Sequence, residues 1–248
     1  MVGLGTIANV VAVLAGGIIG LFLKNGMSKR FHSMLMHALG ISVIFIGVIG
    51  AAKESLSLEA PGHIQLASSG ILMLIVSMVL GSLIGEALNI ERGFEKLGAW
   101  IKKKIKGKDD PHFVDGFVTT SLVICVGAMA IVGSLQDGLR ADPSMLYAKS
   151  LLDLSILIVF ASTLGKGSLF AALPLGIFQG SITAASAFLE PFMTPHVLGG
   201  ISLVGSVMIC CVGINILFPA KLIRLRVANM LPALVIVTIW NLFNIHWF

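Results

Sequence analysis

Two oppositely charged residues stand four positions apart in a largely apolar segment, YAKSLLDLSILIVF, residues 147–160. Residues four apart share one face of a helix, so Lys149 and Asp153 can form an ion pair along it. In one interpretation the pair only lowers the cost of burying two charges. In the other, Asp153 is a cation ligand or a titrating group, and Lys149 is its counter-ion or a contact for an anion.

A second polar group ends the segment VGAMAIVGSLQDGL, residues 126–139, where Gln136 and Asp137 follow an almost entirely apolar run. Gln179 is a similar amide inside GIFQGSIT, residues 176–183. Glycines around these groups weaken helices and predict helix breaks or close helix packing: Gly127, Gly133, Gly138, Gly165 and Gly180.

The carboxylate and amide oxygens of Gln136, Asp137 and Gln179 are the ligand types that a small cation such as Na⁺ needs. The same groups can make interhelical hydrogen bonds, worth only about 0.6 kcal/mol each on average in membranes. The sequence leaves both interpretations open. For Asn215 packing is favoured, and Asn9 and Asn241 are weaker candidates for a site.

Other kinds of site have no recognisable pattern in the chain. The six histidines have no HExxH-type spacing, and the three cysteines lie inside apolar runs without the spacing of a metal site. No nucleotide-binding loop, nucleophile elbow or pair of catalytic carboxylates is readable. The prediction is therefore a protein that is not an enzyme, with no metal site and no cofactor other than Na⁺ or H⁺ as a coupling ion.

Composition indicates the solvent in which these residues must be positioned. Of the 248 residues, 56% are hydrophobic and 12% are charged, and the mean hydropathy is +0.99. Soluble domains are about one quarter charged, so the membrane is the natural solvent. The apolar runs are continuous rather than alternating, which predicts helices. We expect an all-α, polytopic transmembrane helix bundle that forms one domain over residues 1–248.

Eight apolar segments are long enough to consider as spans, although the second is short. Seven spans with one re-entrant segment is the main alternative. The predicted segments are Leu4–Leu23, Leu39–Ala52, Ser69–Leu88, Phe117–Leu135, Leu146–Leu164, Ser168–Leu189, Leu198–Phe218 and Ala228–Trp247.

Basic residues predict the orientation of these spans, because cytoplasmic loops are enriched in Lys and Arg. All but three of the 17 Lys and Arg residues fall on one side of an eight-span arrangement, the exceptions being Lys53, Arg140 and Lys149. Both termini are then outside. The net charge of +5 follows from this bias, so we expect no nucleic-acid partner.

A basic stretch over residues 92–108 has apolar residues at helical spacing, among them Phe94, Leu97, Trp100 and Ile101. It predicts an amphipathic helix at the cytoplasmic interface, with its lysines against anionic lipid.

Two parts of the chain are similar to one another. GGIIGLFL, residues 16–23, matches GSLIGEAL, residues 81–88, and VIFIG, residues 43–47, matches VICVG, residues 123–127. Residues about 1–55 and 66–138 are therefore predicted to be two copies of one unit. Internal repeats are common in secondary transporters, although the Gly-x-x-x-Gly pattern also serves packing alone.

The segments GFVTTSLVICVGAMAIVGSLQDGL, YAKSLLDLSILIVFASTLGKG, LPLGIFQGSIT and VANMLPAL together resemble the bacterial domain-of-unknown-function family 554, also called YdfK/YqgA-like. The resemblance covers nearly the whole chain and implies a multi-spanning protein of the bacterial cytoplasmic membrane. It implies no established substrate. The motif positions are Gly133, Gln136, Asp137, Gly138, Lys149, Asp153, Gly165, Gly167, Gln179 and Gly180.

The function expected from these residues is a permease or secondary transporter for a small solute or ion, coupled to Na⁺ or H⁺. Its pathway would lie where the fourth, fifth and sixth spans meet. A non-transporting membrane scaffold or partner-binding subunit is the alternative, and an intramembrane enzyme acting on lipid is a weaker one. The glycine-rich helix faces favour a homo-oligomer. A water-accessible cavity at Asp153 would favour transport over a scaffold.

Overall fold

The computed structural model describes residues 1–24, 28–57, 68–104, 112–125, 128–218 and 222–243, and no strand occurs among them. The helices are α1 (Leu4–Lys24), α2 (Lys29–Ser57), α3 (Ser68–Leu88), α4 (Ile90–Lys104), α5 (Phe113–Cys125), α6 (Ala128–Arg140), α7 (Ser144–Leu164), α8 (Lys166–Leu169), α9 (Ala172–Ala184), α10 (Ser186–Leu189), α11 (Pro195–Leu217) and α12 (Pro232–Leu242). Short 3₁₀ turns cover Glu190–Phe192 and Val227–Met230. The predicted all-α polytopic bundle is confirmed.

Six stretches of the described chain are long and apolar enough to cross a membrane. They lie in α1, α2, α3, α7 and α11, and over Lys166–Ala184, which combines α8 and α9. The second predicted segment looked short, but α2 extends it into the candidate span Ser33–Ser55.

The fourth predicted segment is an interrupted helix rather than a straight one. Its two parts, α5 and α6, are bent by 61° relative to one another, and they count as a seventh span only if the pair crosses together. The eighth segment corresponds to a shorter apolar stretch, Val227–Leu242. The exact number of spans therefore stays a prediction.

The chain divides into two compact units. The first comprises residues 1–39, 92–125 and 129–190, so it contains α1, the start of α2, most of α4, and α5 through α10 apart from the first residue of α6. The second comprises residues 40–91, 126–128 and 191–248, with most of α2 together with α3, α11 and α12. The predicted repeat copies are distributed over both units, since α1 lies in the first and α3 in the second. The repeat itself stays a prediction.

In the first unit, α1 packs in parallel along α7, and glycines permit the close approach. A Cβ at Gly16 would lie 2.5 Å from the Leu154 carbonyl oxygen, and one at Gly20 would clash with the backbone of Ile158. Gly5 faces Leu146 in the same register. The backbone of α7 thus occupies space that side chains would take on an ordinary helix, as in other small-residue membrane interfaces.

Aromatic packing joins α4 to α5 in the first unit. Ile101, Phe113 and Phe117 form a buried cluster, while Trp100 on another face of α4 is 55% exposed. Part of the apolar face of α4 is therefore covered by protein. The contact of its lysines with lipid stays a prediction, and residues 105–108 of the predicted interfacial stretch lie outside the described residues.

The second unit uses glycines in the same way. In α3, a Cβ at Gly81 or Gly85 would clash with Ala233 or with the carbonyl oxygen of Asn229, so α3 and α12 pack tightly and antiparallel. The Asn229 side chain also holds the junction of α3 and α4: its Nδ2 donates to Glu86 Oε2 at 2.7 Å, and its Oδ1 accepts from Glu91 N at 2.7 Å.

Candidate functional site

A buried ion pair forms the centre of the candidate site, in the first unit. Lys149 Nζ lies 2.6 Å from Asp153 Oδ2, and the two residues are 7% and 3% exposed. Both are on α7, one turn apart, as their spacing predicts. Because removing each ion from water costs several kcal/mol, a buried pair needs further hydrogen bonds to its charged atoms.

One of those hydrogen bonds comes from the end of an interrupted helix. Lys149 Nζ donates to the Ile124 carbonyl oxygen at 2.9 Å, and α5 ends one residue later, at Cys125. The last four carbonyls of a helix lack an intrahelical partner and carry its partial negative charge. The ammonium group therefore lies where both a carboxylate and a helix carboxyl end attract it.

Two amide side chains from other helices complete the network. Asn9 on α1 donates from Nδ2 to Asp153 Oδ2 at 2.9 Å and to Gln179 Oε1 at 3.3 Å. Asn9 and Gln179 are both fully buried. Gln179 is positioned by α9, so helices α1, α5, α7 and α9 all supply atoms to one polar cluster, which we call the Lys149–Asp153 site.

Two polar atoms of this site, Asn9 Oδ1 and Gln179 Nε2, have no hydrogen-bond partner among the described residues. The same is true of Thr120 Oγ1 on α5 and Asp137 Oδ1 on α6. A buried polar atom without a partner costs about 1–3 kcal/mol. The two adjacent amides therefore have one acceptor and one donor free to pair with a further group, such as a water molecule or a solute.

Asp137 occupies a second buried position, at the amino-terminal end of α1. Its Oδ2 accepts from the backbone N–H of Gly5 at 3.0 Å, and the residue is fully buried. The positive end of a helix dipole favours a carboxylate there. Within the described ranges, however, no basic side chain forms an ion pair with Asp137. Gly5 is one turn before Asn9, so α1 connects Asp137 to the Lys149–Asp153 site.

The surroundings of the site differ along the helix axes. One turn away, on the side of the α7 carboxyl end, the fully buried Val13, Leu157 and Leu175 form an apolar layer. Toward the amino-terminal end of α1, the hydroxyls of Thr6 and Thr183 lie 3.5 Å apart, although the fully buried Leu146 is at the start of α7. The site is therefore bounded by an apolar layer at one end, while hydroxyl groups lie toward the other.

The structure separates the residues that the sequence put forward together. Lys149, Asp153 and Gln179 are joined in the site, and Asp137 lies near it. Gln136 is only half-buried, and its backbone carbonyl oxygen accepts from the backbone N–H of Asp142 at 3.4 Å. In the described chain its side chain has no hydrogen bond to the site. On a helix, adjacent residues point in different directions, so burial of Asp137 turns Gln136 away.

The predicted glycine positions have different roles. Gly133 and Gly138 are inside the continuous helix α6, so of the two predicted roles they have close packing rather than a helix break: Gly133 lies against Leu146, and Gly138 lies against Thr183 and Ser186. Gly165 ends α7 with φ +87°, a conformation that favours glycine. Gly180 lies within α9 with no atom within 4 Å of an added Cβ, so it serves neither role. Gly127 lies outside the described residues.

Asn9 is the site residue that sequence reasoning ranked too low. Gly5, Asn9, Gly16 and Gly20 recur at helical spacing, so the amide lies on the glycine face along which α1 meets α7. That position on the packing face is the signal that distinguishes it.

Asn215, by contrast, pairs with the backbone N and O of Leu225 at 2.8 and 2.7 Å, which agrees with a packing role.

No group of three or more His, Cys, Asp or Glu side chains in the described chain could hold a metal ion. The ligand types of the site are instead an ammonium, one carboxylate, two amides and a helix-end carbonyl, with the carboxylate of Asp137 nearby. Such a set can bind a small polar solute or a monovalent cation by hydrogen bonds and charge.

Comparisons with known proteins agree with the resemblance read from the motifs. The family described as "Protein of unknown function (DUF554)" matches residues 4–242. The "Uncharacterized membrane protein YdfK" of Bacillus subtilis (strain 168) is 31% identical over 244 residues, covering 98% of this chain and 97% of the relative. The "Uncharacterized protein YqgA" of Escherichia coli (strain K12) is 28% identical over 241 residues, with 94% of both chains covered. No solved structure matches the chain.

Proposed function

The chain belongs to the DUF554 family and is a multi-pass membrane protein, and from its buried site we propose that it is a permease, a secondary transporter for a small solute or ion. One observation carries the proposal. A buried ion pair lies at the end of an interrupted helix, beside amide atoms without a partner among the described residues. Transporter sites are typically built at broken helices, whereas packing contacts alone leave few buried polar atoms unpaired.

The proposed roles follow from the charges and hydrogen bonds of the site. Asp153 and Lys149 are the charge-bearing groups, and Asn9 and Gln179 are the neutral ligands. The carbonyl end of α5 holds Lys149 in place. Gln136, although one of the predicted neutral ligands, has no part in this proposal because its side chain does not reach the network.

A coupling ion would bind at Asp137. If all three groups are ionised, Asp137, Asp153 and Lys149 together leave one negative charge without a balancing cation. Ionised groups in low dielectric need such a partner. A proton or Na⁺ at Asp137 would supply it, using the orphaned Oδ1, and the bond from Gly5 N ties that event to the position of α1.

Transport requires the site to open, because its residues are buried in the described conformation. The polar end, with Thr6 and Thr183, is the proposed first entry, and the layer of Val13, Leu157 and Leu175 is the proposed barrier on the other side. With both termini outside, as the basic residues predict, the polar end faces outward and the barrier faces the cytoplasm.

The setting of the transporter is also part of the proposal. The resemblance favours the bacterial cytoplasmic membrane, and the lysines of α4 favour anionic lipid at its inner surface. Glycine-rich faces favour a homo-oligomer.

The test is solute flux in proteoliposomes that contain the purified full chain. Charge movement is recorded after rapid jumps of Na⁺, H⁺ and a panel of small anions, amines and amino acids. Asp153→Asn is measured beside the parent, with Asp142→Asn as a control, because Asp142 is an exposed carboxylate in the loop before α7. Thermal unfolding in detergent establishes that each variant is folded.

The expected result is a saturable signal with one solute that disappears in Asp153→Asn and persists in Asp142→Asn. Absence of any signal from folded, correctly inserted protein would overturn the proposal. The buried pair would then be a structural ion pair of a membrane scaffold.

A further inference from the structure

We propose that the Lys149–Asp153 site accepts a small zwitterion, a solute with one ammonium and one carboxylate group a few bonds apart. This inference rests on the proposed function and names its substrate class. The ligand would replace an internal ion pair by two ion pairs of its own, its ammonium on Asp153 and its carboxylate on Lys149.

Charge balance is the first reason. Lys149 and Asp153 neutralise one another at 2.6 Å and are both buried. A ligand that carries only a cation would pair with Asp153 and leave the ammonium of Lys149 unpaired, and a ligand that carries only an anion would leave Asp153 unpaired. Leaving one buried charge without its partner is strongly unfavourable. A ligand with both charges leaves neither alone.

The orphaned amide atoms are the second reason, and they are independent of the charges. Asn9 donates to Asp153 through Nδ2, so its unpaired Oδ1 is an acceptor held next to the carboxylate. An acceptor beside a carboxylate suits an ammonium group, which brings three donors and no acceptor. Gln179 is bonded through Oε1, and its unpaired Nε2 is a donor. A donor of this kind suits the second oxygen of a carboxylate.

The spacing of the charged groups limits the size of the ligand. Lys149 Nζ and Asp153 Oδ2 lie 2.6 Å apart on one helix face, so the two charges of the ligand must also be close, only a few bonds apart. The apolar layer of Val13, Leu157 and Leu175 leaves no polar group on that side for a long polar substituent. α-Amino acids with small side chains, and compounds such as β-alanine, meet both conditions.

The experiment compares matched ligands with the wild-type full chain. Glycine, L-alanine, L-serine and β-alanine are the zwitterionic probes. L-alaninamide carries only the cation, N-acetyl-L-alanine carries only the anion, and L-lactamide carries neither. Binding is measured by thermal shift in detergent and by competition for flux in proteoliposomes. We expect at least one zwitterion to bind about tenfold more tightly than any of its single-charge or neutral analogues, a difference of about 1.4 kcal/mol.

Two variants test which ligand group meets which side chain. Gln179→Leu removes the proposed donor to the carboxylate, so it should weaken binding of the zwitterion more than binding of L-alaninamide. Gln136→Leu is the matched control, because Gln136 is outside the network, and it should leave both ligands unchanged. In Lys149→Gln, the ligand preference should move toward the cation, since Asp153 is then unbalanced.

Two results would contradict the inference, and they are distinguishable. Transport of a neutral or singly charged solute, with no zwitterion bound more tightly, would overturn the substrate class and leave the transporter proposal standing. Absence of binding and flux with every solute class would overturn the transporter proposal and the zwitterion with it.

Discussion

Asn9 Nδ2 donates to Asp153 Oδ2 at 2.9 Å, so an amide of the first helix is hydrogen-bonded to a carboxylate of the seventh. The two residues are 144 positions apart in the chain. The bond forms where α1 and α7 run in parallel, along a face kept narrow by Gly16 and Gly20. Helix packing and the polar site therefore depend on one another, because a wider separation would break the hydrogen bond to the ion pair.

Removing one member of the ion pair should destabilise the protein more than removing both. Lys149→Met leaves the Asp153 carboxylate buried and unpaired. Asp153→Leu likewise leaves the Lys149 ammonium group buried without its carboxylate. Each single variant should lose about 3–5 kcal/mol, whereas the double variant should be close to wild type, because apolar pairs replace buried ion pairs without large loss. Apparent melting temperatures in detergent measure this.

The wild type, the two single variants and the double variant could instead have equal melting temperatures. That result would show that the ion pair is more exposed in solution than the exposed fractions of 7% and 3% indicate. The double variant should also lose transport completely. Stability and function would then be separated in one protein, which no single variant achieves.

Asn9 and Asn215 are a matched pair of buried or half-buried asparagines in different settings. Asn9→Leu should abolish transport, because it removes both the donor to Asp153 and the orphaned acceptor. Asn215→Leu breaks two hydrogen bonds to the backbone of Leu225 and should lower stability by about 1–3 kcal/mol while flux per folded protein is retained. Flux normalised to the amount of folded protein distinguishes the two variants. Equal loss of flux in both variants would contradict a specific role for Asn9.

The sequence predicted those features of the site that depend on local spacing. Lys149 and Asp153 pair because they are one helical turn apart, which any helix over that segment enforces. Composition and continuous apolar runs likewise predicted the all-α membrane fold. The glycines predicted either a helix break or close packing, and Gly133 and Gly138 have the packing role within α6, whereas Gly127 lies outside the described residues.

Long-range contacts could not be predicted in the same way. The bond of Asn9 to Gln179 spans 170 residues, and nothing in either segment specifies the other as its neighbour. Small residues predict that a helix face makes a close contact, but they do not indicate which helix it contacts. For the same reason Gln136 was grouped with Asp137: adjacency in sequence places two residues on different faces of a helix, and only the packing decides which face is buried.

Two glycines should respond in opposite directions to the same substitution. In Gly16→Ala, the new Cβ would meet the Leu154 carbonyl oxygen at 2.5 Å, so α1 and α7 must move apart. We expect a loss of 1 kcal/mol or more, about the scale of overpacking. In Gly180→Ala nothing lies within 4 Å of the new atom, and helix propensity should stabilise α9 by up to about 1 kcal/mol. Melting temperatures in detergent measure both changes: a decrease for Gly16→Ala and an increase for Gly180→Ala.

If both alanine variants lost stability, the result would contradict the finding that the space beside Gly180 is open. Because the Asn9–Asp153 bond lies at the α1–α7 contact, Gly16→Ala should also reduce flux, and Gly180→Ala should not.

Asp137 should be the residue through which a gradient of H⁺ or Na⁺ drives transport. It is fully buried, with a single described hydrogen bond from Gly5 N and no ion pair among the described residues. Asp137→Asn keeps the shape and the acceptor but cannot take up a cation by charge. The variant should exchange solute passively, yet fail to accumulate it against a gradient. The accumulation ratio in proteoliposomes, with an imposed pH or Na⁺ gradient, measures the coupling.

Asp142→Asn is the control for this variant, because Asp142 is an exposed acid five residues further along. Hydrogen bonds from the side chain and backbone of Ser144 lower the pKa of Asp142 below its ordinary value. The hydrogen bonds that lower this pKa stabilise the folded state at pH values above the ordinary pKa of an aspartate. That stabilisation is lost only as the pH falls through the lower pKa of the folded state. Asp142 therefore stays ionised in a neutral transport assay, and its substitution should leave accumulation intact. Accumulation that persists in Asp137→Asn would assign the coupling ion to another group.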